Sequence, residues 1–208
     1  TKIVERGLLE KSPYLANALI NMYAKCGMLG KAQEMLEELP VRDKVSWSAL
    51  ISGYAQHGQG HEALNCFDQM QNEGLCPDAI TFTCILKACG ALRAIEKGKL
   101  VHKEILSRGL LKRNIVLGNA LVDMYAKCGF LAKAQEVLKE LPIRDVISWN
   151  ALITGYAQLE QGHDALNCFE QMKNDGISPN AITFIGVLKA CGCIRAINEG
   201  KQIHNEIV

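Results

Sequence analysis

The stretch NALINMYAKCG at residues 17–27 returns as NALVDMYAKCG at residues 119–129. Trp47 and Trp149, Tyr23 and Tyr125, Phe67 and Phe169, and Pro77 and Pro179 all keep the same interval of 102 residues. Roughly two-thirds of the aligned positions are identical between the copies, so internal duplication is the first constraint on the fold. Each block must adopt the same structure and pack on its neighbour.

A shorter rhythm runs inside the block. Asn17 to Ser48 is 31 residues, Ser48 to Thr83 is 35 and Thr83 to Asn119 is 36, a triplet that is used about twice. Each step reads as two helices. Trp47, Leu50, Ile51 and Tyr54 fall at i, i+3, i+4 and i+7, and after a break at 58–60 Ala63, Leu64, Phe67 and Met70 form a second apolar stripe. Gly74 and Pro77 close that second helix, because Gly suits a helix C-terminus and Pro cannot continue one. Pro40 and Pro142 stop the second helix earlier in the 31-residue steps.

One helix pair of this size cannot bury its stripes, so neighbouring pairs must stack. The expected fold is all-α, a right-handed α-solenoid of helix-turn-helix repeats, with the repeated Trp, Tyr and Phe as its stacking core. Charge nearly cancels, 23 Lys and Arg against 22 Asp and Glu, so bulk attraction is not what would hold a polyanion. None of the nine Cys forms C-x-x-C. Cys26 and Cys128, Cys66 and Cys168, and Cys89 and Cys191 are three repeat positions seen twice, and each is expected to be a buried free thiol in a tight helix contact. His61 and His163, and His102 and His204, are likewise repeat copies and read as structural. No zinc-deaminase H-x-E or P-C-x-x-C signature, phosphate-binding Gly loop or unexplained Ser-His-Asp grouping occurs, so neither an enzyme nor a cofactor is expected. No apolar run reaches the roughly 20 residues of a membrane span, and no targeting segment opens the chain.

The 31-35-36 order resembles the pentatricopeptide repeat family, in its subclass of alternating short (S), P and long (L) motifs. SWSALISGYAQHGQGHEALNCFDQMQNEGLCPD and its copy at 148–180 resemble the 35-residue motif. AITFTCILKACGALRAIEKGKLVHKEILSRGLLKRN resembles the 36-residue one, and NALVDMYAKCG with LPIRD the 31-residue one. Tetratricopeptide repeats share the Trp47, Leu50, Tyr54, Ala63 and Phe67 pattern, but have a uniform period and a Gly where this chain has Ile51. The resemblance sets a single array over residues 1–208, with a partial L at 1–12, S at 13–43, P at 44–78, L at 79–114, S at 115–145, P at 146–180 and a partial L at 181–208.

The fifth and last residues of these units are Asn17 and Asp43, Ser48 and Asp78, Thr83 and Asn114, Asn119 and Asp145, and Asn150 and Asn180. Short polar residues at helix starts are also ordinary caps. In the family such pairs read the Watson-Crick edge of one single-stranded RNA base per unit. The resemblance therefore implies 5′-U-G-A-U-Y, with the L-unit base the weakest reader and Ile185, at the fifth position of the last partial unit, reading nothing. It also implies that the second residues Tyr14, Val45, Ile80, Val116, Ile147 and Ile182 sandwich the bases; otherwise they staple the loop before each helix. Lys25 and Lys127 lie eight residues after Asn17 and Asn119, and are candidate phosphate contacts, where the P units have Gln56 and Gln158.

The function implied is sequence-specific RNA binding as the targeting part of an organellar cytidine-to-uridine RNA-editing factor, in chloroplast or mitochondrion. The L unit at 79–114 is then a candidate contact for accessory editing factors. The alternative is a scaffold that binds peptides or helices in a groove.

Overall fold

The computed structural model describes residues 12–208, so the partial L motif assigned to 1–12 lies, apart from Ser12, outside the described residues. Twelve α-helices occur among the described residues, and no strand. They are α1 (Pro13–Lys25), α2 (Leu29–Glu37), α3 (Lys44–Gln56), α4 (Gly60–Asn72), α5 (Ala79–Leu92), α6 (Ile95–Ser107), α7 (Ile115–Lys127), α8 (Leu131–Glu140), α9 (Val146–Gln158), α10 (Gly162–Asn174), α11 (Ala181–Ile194) and α12 (Ile197–Ile207). A 3₁₀ turn, Leu110–Arg113, precedes α7.

The described helices form two compact units, one ending at residue 92 and the other covering 93–208, and the division falls between the two helices of the 79–114 L motif. In the first unit α1, α3 and α5 pack side by side, while α2 and α4 pack against the helices that precede and follow them. In the second, α7, α9 and α11 form the equivalent row, backed by α8 and α10, with α6 against α7 and α12 against α11.

The stripes read from the sequence supply the packing. Trp47, Leu50, Ile51 and Tyr54 are buried on α3, and Ala63, Phe67 and Met70 on α4. Fully burying a side chain of this kind contributes about 1.5–3 kcal/mol, which is why a row of stripes can outweigh the ordering of short helices. Phe67 meets Phe82 edge-on at 6.1 Å between ring centroids, and Phe169 meets Phe184 at 6.2 Å in the other unit. Gly53 permits the close approach of α1 to α3, since a Cβ there would sit 2.6 Å from that of Ala24. Gly155 plays the same part between α7 and α9, where a Cβ would come within 3.0 Å of that of Ala126.

The thiols do not all follow the expectation. Cys66, Cys168, Cys89 and Cys191 are buried, but Cys26 is exposed and Cys128 half-buried. Both stand at the C-cap of their helices, α1 and α7, one position past the last residue that an apolar stripe can turn inward. All nine cysteines are free.

Candidate nucleic-acid interface

The last residue of each motif is the N-cap of the next unit's first helix, and that local role orients it. Asp43 Oδ1 accepts from the backbone N–H of Val45 at 2.9 Å and of Ser46 at 2.8 Å, which satisfies two donors that α3 leaves open. Asp145 does the same for Ile147 and Ser148 at α9, and Asn180 for Thr183 at α11. The capping explanation is thus correct as chemistry, but it uses only part of each side chain.

The remainder reaches the fifth residue of the unit before. Asn17 Nδ2 donates to both oxygens of Asp43, at 3.3 and 3.1 Å. Asn119 Nδ2 donates to Asp145 Oδ2 at 3.0 Å, and Asn150 Nδ2 to Asn180 Oδ1 at 3.0 Å. Ser48 is joined to Asp78 indirectly: its Oγ lies 2.7 Å from Thr81 Oγ1, which donates to Asp78 Oδ1 at 2.9 Å. Thr83 belongs to the first unit and Asn114 to the second. Thr83 Oγ1 donates to the Ala79 carbonyl at 2.7 Å, and Asn114 Oδ1 caps α7 by accepting from Leu117 N at 3.0 Å.

Burial by itself raises the Asp43 carboxyl, but the hydrogen bonds from Ser46, Asn17 and Val45 outweigh it and hold the group below the usual Asp value. Asp43 is therefore a carboxylate at neutral pH, able only to accept. Asn119 is buried to 6% exposure and its Oδ1 has no partner. An unpaired buried acceptor of this kind costs on the order of 1–3 kcal/mol.

In the first unit these groups line an open cavity of about 730 Å³, shared by Asn17, Asp43, Ser48 and Asp78 with Tyr14, Val45, Ile80 and Lys25. All six second-position residues are exposed, from 51% at Val45 to 87% at Tyr14. Side chains left this open present apolar faces to solvent. Lys25 ends α1 with neutral Asn21 one turn before it, whereas Lys127 is paired with Asp123 at 2.7 Å. Ile185 is exposed and has no hydrogen-bonding group to offer. Among the described residues no group of three or more His, Cys, Asp and Glu could hold a metal ion.

Sequence reasoning passed over Ser46, Thr81, Ser148 and Thr183, the third residues of the P and L units, all fully buried and all bonded to the pairs above. The signal was present, since a hydroxyl recurs at that position beside Asp43, Asp78, Asp145 and Asn180.

The profile described as the PPR repeat family matches residues 42–91 and 144–193, and that of the PPR repeat matches 14–43, 80–110 and 119–146. Among Arabidopsis thaliana proteins, the chain is 41% identical over 192 residues to the pentatricopeptide repeat-containing protein CRR2, chloroplastic, covering 91% of this chain and 29% of that protein. It is 34% identical over 200 residues to pentatricopeptide repeat-containing protein At1g06140, mitochondrial, covering 96% of this chain and 36% of that one. The chain thus spans about a third of the length of these relatives. Its fold resembles the crystal structure of the pentatricopeptide repeat protein PPR10 from maize, with a TM-score of 0.75 and 21% identity over 99% of this chain and 30% of that chain. The structure of PPR10 in complex with an 18-nt psaJ RNA element superposes with a TM-score of 0.72, at 21% identity over 97% of this chain and 31% of that chain. The repeat spacing, the helix pairs and the profiles that together match most of its length agree: the chain belongs to the pentatricopeptide repeat family.

Proposed function

We propose that this chain binds single-stranded RNA, one base per unit, with the preferred order 5′-U-G-A-U-Y. The observation that carries the reading is the hydrogen bond between fifth and last residues in three units, Asn17 with Asp43, Asn119 with Asp145 and Asn150 with Asn180. Each pair is preorganised, so little side-chain ordering is left for the ligand to impose. Each also stands beside an exposed apolar side chain on which a base face can lie. Asp43 and Asp78 offer acceptors, which suit the N–H groups of uracil and guanine. The Thr83 hydroxyl is spent on its own helix, so the third base contributes least to discrimination. The similar fold of PPR10, solved with an RNA element, supports the same assignment.

The finer role rests on the S, P and L alternation. We assign the array to that subclass and to the targeting part of an organellar cytidine-to-uridine editing factor, with the L unit at 79–114 as the surface for accessory editing factors. The organelle is chloroplast or mitochondrion, in keeping with the names of the relatives, and the array itself serves as a binding element rather than a catalyst.

The test is a binding panel with short RNAs in which each base of U-G-A-U-Y is varied singly. Asn119→Thr, with Asp145 kept, should move the preferred fourth base from U toward G. Equal binding of all four bases at that position in both proteins would overturn the reading, and preference for a peptide over any RNA would replace it with a scaffold.

A further inference from the structure

A cleft of about 240 Å³ in the second compact unit is bordered by Gln135 and Lys139 of α8, Arg144 of the following turn, Trp149 of α9 and Asp175 after α10. None of these residues belongs to the interface described above. The residues 102 positions earlier, in the first compact unit, satisfy one another. Trp47 Nε1 donates to Glu73 Oε2 at 2.8 Å, Gln33 Nε2 donates to Glu37 Oε1 at 2.8 Å, and Arg42 pairs with Glu73. Carboxylates there accept from the indole, the amide and the guanidinium.

The second copy withdraws both of those acceptors. Lys139 stands where the first copy has Glu37, and Asp175 stands where it has Glu73. Asp175 is taken up by Arg144 at 2.9 Å and falls short of the indole, so Trp149 Nε1 is buried without a partner. Gln135 Oε1 still accepts from the Tyr156 hydroxyl at 3.2 Å, as its amide oxygen should, but with Lys139 in place of a glutamate its Nε2 has no acceptor one turn on. One cation with two carboxylates has become two cations with one. The cleft therefore carries N–H donors in excess and one uncompensated positive charge, which together select an anion.

We propose that this cleft is a binding site for the carboxylate group of a ligand, which takes the place that the Glu73 and Glu37 carboxylates fill in the first copy. Lys139 supplies the charge that the ligand balances, and Trp149 Nε1 and Gln135 Nε2 supply the directed donors. Lys139 is exposed and Arg144 partly so. Entry therefore needs only rotation of their outer methylenes, while the packed indole stays where it is. A singly charged, flat group suits the site better than a phosphate, because a second negative charge would meet Asp175 without a further cation to offset it.

The chain holds only two tryptophans, so nitrogen–proton correlation spectra show one indole signal for each, and Trp149→Phe identifies the one from the cleft. The full chain, without RNA, is titrated with sodium acetate, with sodium phosphate and with an amidated peptide carrying a single glutamate, each against sodium chloride at equal ionic strength. Acetate should move the Trp149 signal to saturation and leave that of Trp47 in place. Lys139→Glu and Asp175→Glu each return a carboxylate that the first copy has, and should weaken the response about tenfold or more, with helix content checked by circular dichroism. Lys139→Ala, which removes the charge without adding an acceptor, should weaken it by a smaller factor. Saturation by the peptide as well as by acetate assigns the carboxylate to a partner's side chain, and saturation by acetate alone assigns it to a free small acid. A Trp149 signal that never saturates, that follows chloride or phosphate as closely as acetate, or that responds unchanged in both glutamate variants would overturn the proposal. Because no RNA is present, none of these results bears on the base-reading proposal.

Discussion

Trp47 Nε1 donates to Glu73 Oε2 at 2.8 Å, and Glu73 also pairs with Arg42 at 2.5 Å. One repeat later Asp175 replaces Glu73, pairs with Arg144 at 2.9 Å, and leaves Trp149 Nε1 buried without a partner. A side chain one methylene shorter cannot serve both groups. Asp175→Glu should restore the bond, with room supplied by a cavity of about 240 Å³ that Trp149, Arg144 and Asp175 border. Satisfying a buried donor is worth on the order of 1 kcal/mol, or about 3 °C in midpoint for a chain of this size. Thermal unfolding followed by circular dichroism reads it, and Glu73→Asp should lower the midpoint by a similar amount.

Glu160 holds φ at +60°, where its repeat equivalent is Gly58 at +74°. The left-handed conformation costs a residue with a Cβ about 1–2 kcal/mol, part of which glycine returns as unfolded-state entropy. Glu160→Gly should therefore stabilise the α9–α10 turn by about 0.5 kcal/mol, visible as a shift of the urea midpoint at constant slope.

His102 lies buried beside Tyr125, its Nδ1 2.9 Å from the phenol oxygen and its Nε2 unpartnered. Burial first, and then Lys133, lowers its pKa below 6.5, against weaker opposing effects from Glu140 and Glu136. The folded protein thus refuses a proton that the unfolded chain accepts. Stability is full above about pH 6.5 and falls as pH drops below that value toward the folded-state one. Unfolding midpoints measured between neutral and mildly acidic pH should show this decline, and His102→Gln should flatten it.

The two lysines proposed as phosphate contacts differ in their surroundings. Lys127 is held by Asp123 at 2.7 Å, whereas Asn21 leaves Lys25 with no carboxylate one turn away. Lys25→Ala should reduce the salt dependence of RNA binding by about 0.7 in log–log slope, and Lys127→Ala should change it less. Asp123→Asn should free Lys127 and raise affinity at low salt.

Burial, reinforced by Glu62 and Glu37, pushes the Cys66 thiol up to about 12. Burial and Asp164 do the same for Cys168, to about 12, against an opposing Lys139. Neither forms thiolate at neutral pH, while Cys26, Cys76 and Cys193 are exposed. Maleimide labelling followed by mass spectrometry should modify those three first, and reach Cys66 and Cys168 only on unfolding.

The repeat interval, the paired helices and the faces that carry Trp47, Leu50, Phe67 and Met70 were legible in the amino-acid order, because helical periodicity alone says which side chains must share a side. The resemblance to the pentatricopeptide repeat family, and not periodicity, pointed to the fifth and last residues. Whether Asn119 keeps a free oxygen while Asn150 does not was decided in three dimensions. Those bonds join residues 26 to 33 positions apart that meet only when neighbouring helices pack. Cys26 at a cap, and Trp149 left unpaired by a shortened carboxylate, follow the same logic. Periodicity specifies a direction for each side chain, but only packed helices set the distances at which a hydrogen bond closes or fails.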